Sequence, residues 1–284
     1  MRFTKMHGLG NDYVYVDARA EHIENPPDIA RKISDRHTGI GSDGLIIIHP
    51  STVADVRMEM YNADGSRGRM CGNGIRCVAK YAVEHGLAAG PMVGVETDSG
   101  IKECECLVGW PGFSRTEPGA MIVSGVRVDM GIPSVRPADL PSTINADRIV
   151  NFPLHLGGQT YEVTCVSMGN PHAVVFVDKL HLVDLVNVGP LFENAPEFPE
   201  RINAHFVRVD SPSRVTVRTW ERGSGATRAC GTGACAVCVA GFVTGRTQRA
   251  VTTVLPGGEL EIEWAKNEHV YKTGEAVEVF SGIW

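Results

Sequence analysis

The sequence predicts a mixed α/β protein of the α+β kind, made of two pseudo-symmetric halves. The second half is expected to wrap a sheet about a buried helix. Three observations carry this. First, one segment is written twice, as Tyr61-Asn62-Ala63-Asp64-Gly65-Ser66-Arg67-Gly68-Arg69-Met70-Cys71-Gly72-Asn73-Gly74 and as Trp220-Glu221-Arg222-Gly223-Ser224-Gly225-Ala226-Thr227-Arg228-Ala229-Cys230-Gly231-Thr232-Gly233, 159 residues apart. Each copy has an aromatic residue, a Gly-rich polar loop, Arg-x-Cys-Gly-x-Gly, and then an apolar run that reads as a helix. Second, the run over 234–243 is apolar on every side, so it must be buried all round and needs a sheet about it. Third, short strand-like runs bounded by turn residues fill most of the remaining chain.

Taken in order, residues 3–7 and 13–17 read as strands around the turn Gly8-Leu9-Gly10-Asn11-Asp12. Pro26-Pro27 opens a short helix over 28–36, with Ile29, Ala30 and Ile33 as its apolar side. A Gly-rich turn over 38–44 leads into strands at 45–49 and 56–61. After the first cysteine loop, Ile75, Val78, Ala79, Ala82 and Val83 recur at helical spacing. Arg76, Lys80 and Glu84 make the opposite stripe, and Gly86 is the stop. Strands follow at 92–96 and 101–108. Residues 109–125, rich in Gly, Pro and Ser, read as a surface loop in which Trp110 and Phe113 pack; 126–130 is a strand. The Pro-rich, aperiodic stretch 133–147 reads as the linker into the second half.

The second half repeats the order. Strands at 161–167 and 173–177 flank the turn Met168-Gly169-Asn170-Pro171-His172, and 182–191 is a short helix or turn. Strands at 205–209 and 214–220 lead to the second cysteine loop, and 251–255, 259–264 and 277–280 supply later strands. The same offset relates Asn11 to Asn170, Gly44 to Asn203 and Asn62 to Glu221, which points to a duplicated domain.

Composition narrows the function. At 284 residues the chain can form two cores, and a net charge of −6 argues against nucleic acid or an anionic membrane as partner. No apolar signal region opens the chain, so a cytoplasmic protein with reduced thiols is expected. Of the eight cysteines, Cys104 and Cys106 share one face of a strand and lack further zinc ligands nearby. Cys235 and Cys238 lie inside the apolar helix and read as core. No metal constellation, pyridoxal-lysine motif or nucleotide-binding loop is apparent, so no cofactor and no metal are expected.

A cysteine at a helix start, followed by Gly-x-Gly, is a thiol among unpaired backbone N–H groups that favour an anion. Two such cysteines, Cys71 and Cys230, suit the movement of a proton from one face of a carbon to the other. One thiolate removes an α-proton while the opposite thiol donates, and the pair titrates as coupled sites.

These residues, with His7-Gly8-Leu9-Gly10-Asn11-Asp12, Met168-Gly169-Asn170-Pro171-His172 and Trp220-Glu221-Arg222-Gly223, resemble the diaminopimelate epimerases over nearly the whole chain. The resemblance implies a pyridoxal-independent isomerase that interconverts LL- and meso-diaminopimelate in lysine and peptidoglycan-precursor biosynthesis. It implies two pseudo-symmetric domains, each a curled, mostly antiparallel sheet wrapped around a central helix: residues 1–130 plus 274–284 carrying Cys71 and 131–273 carrying Cys230, with the site in the cleft. Carried over by residue, Cys71 and Cys230 are the acid/base thiols, supported by His172 and Glu221. Gly72, Asn73, Gly231 and Thr232 would bind the reacting carboxylate. Asn11, Asn62, Asn170, Asn203, Glu221 and Arg222 would hold the rest of the substrate, a small molecule. The family often forms homodimers. Where it usually has Asp-Gln this chain has Asp43-Gly44, which removes one substrate-facing side chain. The alternative is another cofactor-independent racemase of proline or histidine type, against which Asn73 and the Glu221-Arg222 pair speak.

If both thiols flank one small carbon, oxidation should inactivate the protein by joining Cys71 to Cys230. Mass spectrometry of oxidised, inactive protein should find that crosslink; both thiols free would refute the arrangement.

Overall fold

The computed structural model describes residues 1–109 and 122–284. It contains two compact units, Met1–Asp129 with Thr273–Trp284, and Met130–Lys272. In the first unit a hairpin of β1 (Arg2–Gly8) and β2 (Asn11–Asp17) precedes α1 (Pro26–Ser34). Then come β3 (Gly44–Pro50), β4 (Val56–Asn62), the two-residue β5 (Arg67–Gly68) and α2 (Gly74–Glu84). The antiparallel run β6 (Met92–Thr97), β7 (Gly100–Val108) and β8 (Val123–Asp129) follows.

The sheet closes around α2, which touches β1, β2, β4, β6, β7 and β8. Of the predicted apolar side, Ile75, Val78, Ala79 and Ala82 are buried and Val83 is only partly so; Cys77, outside that spacing, is buried as well. The expected solvated stripe is corrected: Arg76 is 0% and Lys80 4% exposed. The physical reason is the enclosure, which leaves the helix no wet side. Lys80 Nζ therefore donates to Glu84 Oε1 at 2.6 Å and to the Val123 carbonyl at 2.7 Å, and Glu84 Oε1 also accepts the Val123 N–H at 2.8 Å. The buried polar groups satisfy one another and fasten β8 to the helix. Gly86, at φ +69°, ends the helix in the left-handed region. On the outer face, α1 sets Ala30 and Ile33 against Val14, Val16, Leu45, Ile47 and Tyr61.

In the second unit β9 (Phe152–Leu156) pairs with β10 (Gln159–Ser167), which pairs with β11 (Pro171–Phe176). A 3-10 turn, Leu180–Leu182, and α3 (Leu185–Glu193) precede β12 (Asn203–Ser211), β13 (Arg214–Glu221) and the short β14 (Gly225–Thr227). Then come α4 (Gly231–Val243), β15 (Ala250–Leu255), β16 (Gly258–Trp264) and β17 (Val270–Gly274). The apolar helix α4 is touched by β10, β11, β12, β15 and β16, and Cys235 and Cys238 are wholly buried in it. The last strand, β18 (Val277–Ile283), belongs to the first unit and runs antiparallel to β1.

The duplication is visible in register. The parallel pair Val14↔Leu45 of β2 and β3 recurs 159 residues later as Ala173↔Ala204 of β11 and β12. Leu45↔Tyr61 recurs as Ala204↔Trp220, and Tyr61↔Arg67 as Trp220↔Ala226. Two strand pairs and a hairpin at one constant offset are not produced by generic turn chemistry.

Several expectations need adjustment. Strand β8 begins at Val123, so 123–125 are sheet rather than loop. The rest of that expected loop, with Trp110 and Phe113, lies outside the described residues. The stretch 133–147 is irregular but not a free linker: Leu140 and Ile144 are buried in the second unit's core beside Phe192, Phe198 and Phe206. Strands β9 and β17 were not foreseen. No disulfide joins any of the eight cysteines. Among the described residues no helix is long and apolar enough to cross a membrane.

Replacing Lys80 by Met should cost about 2–3 kcal/mol of unfolding free energy, because Glu84 and the Val123 carbonyl lose a buried donor. Urea unfolding of the variant checks this; a loss under about 0.5 kcal/mol would mean the polar network is idle.

Candidate active site

Each cysteine loop delivers its sulfur to the start of an enclosed helix by the same backbone device. The Cys71 carbonyl accepts the Ile75 N–H at 2.9 Å, and the Cys230 carbonyl accepts the Ala234 N–H at 3.0 Å. Both residues thus accept a first helical bond, the position at which backbone N–H groups are left without helical acceptors.

In the first unit the half-buried Cys71 Sγ accepts the Gly74 N–H at 3.3 Å and donates to Asn11 Oδ1 at 3.3 Å. Asn11 is aimed by its other end, Nδ2 donating to Asp43 Oδ2 at 2.7 Å. Asp43 Oδ2 also accepts the Asp12 N–H at 3.1 Å, so one carboxylate fixes the loop and the amide. The Tyr13 hydroxyl interacts with Cys71 and Asn11, and burial holds that phenol in its protonated form. Beneath the loop, the wholly buried Arg76 donates from Nε to the Glu275 carbonyl at 3.0 Å. Its Nη1 reaches the Gly72 carbonyl at 3.2 Å and Asn73 Oδ1 at 3.1 Å. Gly8 makes room for this guanidinium: a Cβ there would lie 2.6 Å from Arg76 Nη2. Asn73 is buried, and its side chain faces Arg76. Asn62 stands apart, donating to Ser66 Oγ at 2.9 Å on the surface.

Gly44 has a steric explanation. A Cβ would stand 2.1 Å from the Tyr61 carbonyl and 2.8 Å from the Tyr13 ring, so this backbone accepts no side chain at that position.

In the second unit Cys230 is buried, its Sγ 3.8 Å from Thr232 Oγ1. Burial first, and the charge of Glu221 second, push its thiol well above the usual cysteine range, while the Gly233 N–H and Thr232 act the other way. Glu221 is itself raised by burial, and it accepts from Thr227 Oγ1 at 2.5 Å and interacts with Cys230. His172 is wholly buried: Nε2 lies 2.9 Å from Asn170 Oδ1 and Nδ1 2.9 Å from His205 Nε2. His205 Nδ1 in turn lies 2.9 Å from Thr219 Oγ1. Burial depresses both imidazoles, His205 to about 3 and His172 well below 6.5, the latter also through His205 and Arg222. Asn170 Nδ2 donates to Thr232 Oγ1 at 3.4 Å. Asn203 spends its amide on the backbone, donating to the Pro171 carbonyl at 2.7 Å and accepting the Arg222 N–H at 3.0 Å. The Arg222 guanidinium donates to the Glu200 carbonyl at 2.9 Å.

One ligand atom from each of His172, His205 and Cys230 falls within 4.8 Å of the others, a gathering of three potential soft-metal ligands. Every ring nitrogen in it already has a hydrogen-bond partner.

Of the residues expected from sequence, the first unit brings together Asn11, Cys71, Gly72 and Asn73. The second brings together Asn170, His172, Glu221, Cys230, Gly231 and Thr232, with Asn203 and Arg222 tied to the neighbouring loop. Sequence reading missed Tyr13, Asp43 as the orienter of Asn11, Arg76, His205, Thr219 and Thr227. The repeat offset carried a signal for Tyr13, since it corresponds to His172.

Comparison with known proteins decides the relationship. The family model described as diaminopimelate epimerase matches residues 3–109 and 164–279. The chain belongs to the diaminopimelate epimerase family. The diaminopimelate epimerase of Desulfovibrio desulfuricans is 50% identical, the match covering 99% of this chain and 97% of that protein. Those of Acetivibrio thermocellus, 50% identical, and Methanococcus maripaludis strain C5, 46% identical, are each covered to 98% and 99%. Among solved structures a Bacillus anthracis phenazine-biosynthesis protein is similar with TM-score 0.69 at 16% identity, covering 99% of this chain and 98% of that one. A hydroxyproline epimerase of Agrobacterium vitis is similar with TM-score 0.63 at 16% identity, covering 99% of this chain and 90% of that one. Those two likenesses speak to the fold. Both Cys-Gly-x-Gly elements of this family member fall inside the matched segments.

The buried imidazoles give the family member a pH-dependent stability. Neutral when folded, each takes a proton near pH 6.5 when unfolded, so the unfolded state binds more protons below that pH. Stability should be undiminished above about pH 6.5 and fall as pH drops toward about 3, by up to about 1.4 kcal/mol per pH unit for each histidine. Urea unfolding between pH 7.5 and 5 should show that slope, and His205→Asn should flatten it; equal slopes in both proteins would refute the assignment.

Proposed function

We propose that the protein is a diaminopimelate epimerase, interconverting LL- and meso-2,6-diaminopimelate by two-base proton transfer at the α-carbon. The observation that carries this is full-length identity of about half to proteins of that name, with a cysteine at the start of each enclosed helix. In each turnover one sulfur, as thiolate, takes the α-proton from one face, and the other, as thiol, gives a proton to the opposite face. The C–H bond breaks and a new one forms, so the substrate leaves with its configuration inverted and the two sulfurs have exchanged protonation states. Burial and Glu221 favour Cys230 as the thiol, which makes it the donor in that enzyme form and leaves Cys71 as the base. The step as written draws on no cofactor.

The residues take roles according to what surrounds them. Backbone N–H groups at Gly72 and Asn73 and at Gly231 and Thr232 are to hold the reacting carboxylate, where negative charge develops. The Asn73 side chain is engaged with Arg76, so its contribution is through the main chain. Asn11 and Asn170 are to orient the amino acid beside the two sulfurs, and His172 and Glu221 to support Cys230 through Asn170 and directly. Asn62, Asn203 and Arg222 are to read the distal end. The corresponding biological place is lysine and peptidoglycan-precursor biosynthesis in the cytoplasm, with a small molecule rather than nucleic acid as partner. A homodimer is also proposed, supported by the exposed apolar side chains Val279, Phe280, Ile283 and Trp284 at the C-terminus.

The test is incubation with LL-diaminopimelate in D2O. The α-position should acquire deuterium as meso isomer forms, and Cys71→Ser or Cys230→Ser should lower turnover at least about 10³-fold while leaving the fold intact. Exchange with proline or histidine and none with diaminopimelate would replace the substrate; unchanged turnover in either cysteine variant would sink the two-base step.

A further inference from the structure

Cys230 is the end of a chain of polar groups that runs into the core of its unit. From the interior outward, Thr219 Oγ1 meets His205 Nδ1, His205 Nε2 meets His172 Nδ1, and His172 Nε2 meets Asn170 Oδ1, each at 2.9 Å. Asn170 Nδ2 then reaches Thr232 Oγ1 at 3.4 Å, and Thr232 Oγ1 lies 3.8 Å from Cys230 Sγ. Both histidines are 0% exposed and Thr219 2%, so water does not compete for the two inner links, while Asn170 and Thr232 at the outer end are partly buried.

The chain has a direction. A neutral imidazole carries one donor and one acceptor nitrogen. Asn170 Oδ1 can only accept, so His172 Nε2 bears the hydrogen and Nδ1 accepts. His205 Nε2 must then donate to it, which leaves His205 Nδ1 to accept the Thr219 hydroxyl. At the other end Asn170 Nδ2 donates to Thr232 Oγ1, and the Thr232 hydroxyl hydrogen is left for the sulfur. All five donors point toward Cys230.

The shared scaffold does not need this chain. At the same offset in the first unit stand Tyr13 for His172, Ile46 for His205 and Met60 for Thr219. Ile46 cannot hydrogen-bond and Met60 has no donor, so no relay can form there. The contact beneath the helix start is kept in both units: a Cβ on Gly74 would stand 2.7 Å from Ile46 Cδ1, and one on Gly233 would stand 2.2 Å from His205 Cε1. An imidazole has been placed in the slot that an aliphatic side chain fills in the other half.

We propose that His205, backed by Thr219, is a positioning residue for Cys230. It holds His172 in the tautomer that Asn170 Oδ1 selects, and with it the direction of a hydrogen-bond chain whose last donor, the Thr232 hydroxyl, steadies the Cys230 sulfur whenever it carries charge. Its catalytic meaning rests on Cys230 being one of the two acid/base thiols; the chain itself does not. Glu221 acts on the same sulfur in the opposite sense and, with burial, keeps the resting group a thiol; the relay opposes them without reversing them.

The test reads the sulfur directly, by the pH dependence of alkylation with iodoacetamide followed for each cysteine peptide by mass spectrometry, with Cys71 as internal reference. His205→Phe should slow alkylation of Cys230 about tenfold at a fixed pH, the equivalent of one unit in its titration, and leave Cys71 unmoved. Thr219→Val, which keeps the shape and removes only the donor, should move Cys230 the same way by about threefold. Thr232→Val should reproduce the tenfold loss, and adding His205→Phe to it should change nothing more, because both act through one hydroxyl. A Cys230 profile unmoved in the His205 and Thr219 variants, or effects of His205→Phe and Thr232→Val that multiply, overturns the proposal. If His205→Phe does not fold, Thr219→Val alone and combined with Thr232→Val decides by the same criteria. Protein that shows these shifts but fails to deuterate diaminopimelate would remove the proposed activity and leave the relay standing.

Discussion

Everything in each unit depends on the complete enclosure of one helix. A helix buried on nearly every side, like the wholly apolar α4 or α2 with its polar stripe turned inward, is held only if a sheet bends around it, and the strands flanking α2 and α4 do that. Enclosure has two consequences. It leaves little solvated surface for polar residues, so Arg76 and Lys80 take partners inside, with Arg76 Nη2 alone of its nitrogens left without one. It also makes the helix start, whose first N–H groups have no acceptor within the helix, a polar spot in an apolar enclosure, and there each unit has a cysteine.

The repeat then shows how one scaffold makes two different sulfurs. The backbone is held in common: strand registers, the carbonyl of the cysteine accepting the i+4 N–H, and the glycine that lets a neighbouring strand come close beneath the helix. What differs is the side chains set around the sulfur. Cys71 has Asn11, the Tyr13 hydroxyl and the Gly74 N–H, with a buried guanidinium under its loop. Cys230 has Glu221, Thr232 and two buried imidazoles behind Asn170. Under the proposed two-base reaction, sulfurs that exchange proton roles are served by environments that are unlike in charge yet alike in backbone geometry.

How much of this was legible follows from where the signal lies. Most strands and α2 announced themselves by period and by turn residues, α4 by an unbroken apolar run, and the cysteines by repetition. The polar stripe on α2 was misread because periodicity reports which side is apolar and not what covers the other side. The 133–147 stretch was misread because Leu140 and Ile144 are buried singly from an irregular chain, without any period to betray them. His205 was invisible for a different cause. A histidine in an apolar strand is ambiguous alone, and its role emerges only when His172, 33 residues earlier, is found 2.9 Å away.

Gly44 carries the last step. As a sequence feature it is a deficit, a missing side chain where the family usually has glutamine. In the structure it is a requirement, because the Tyr61 carbonyl and the Tyr13 ring occupy the space a Cβ would need. The ring belongs to the tyrosine that reaches Cys71 and Asn11, and the carbonyl to the strand that ends in Asn62. A side chain at position 44 and this placement of Tyr13 therefore exclude each other. The volume that a side chain at position 44 would enter holds an aromatic residue that contacts the sulfur. Any compensation for substrate recognition at this corner must come from groups already fixed there, Asn11 on its Asp43 support and the backbone of the Cys71 loop.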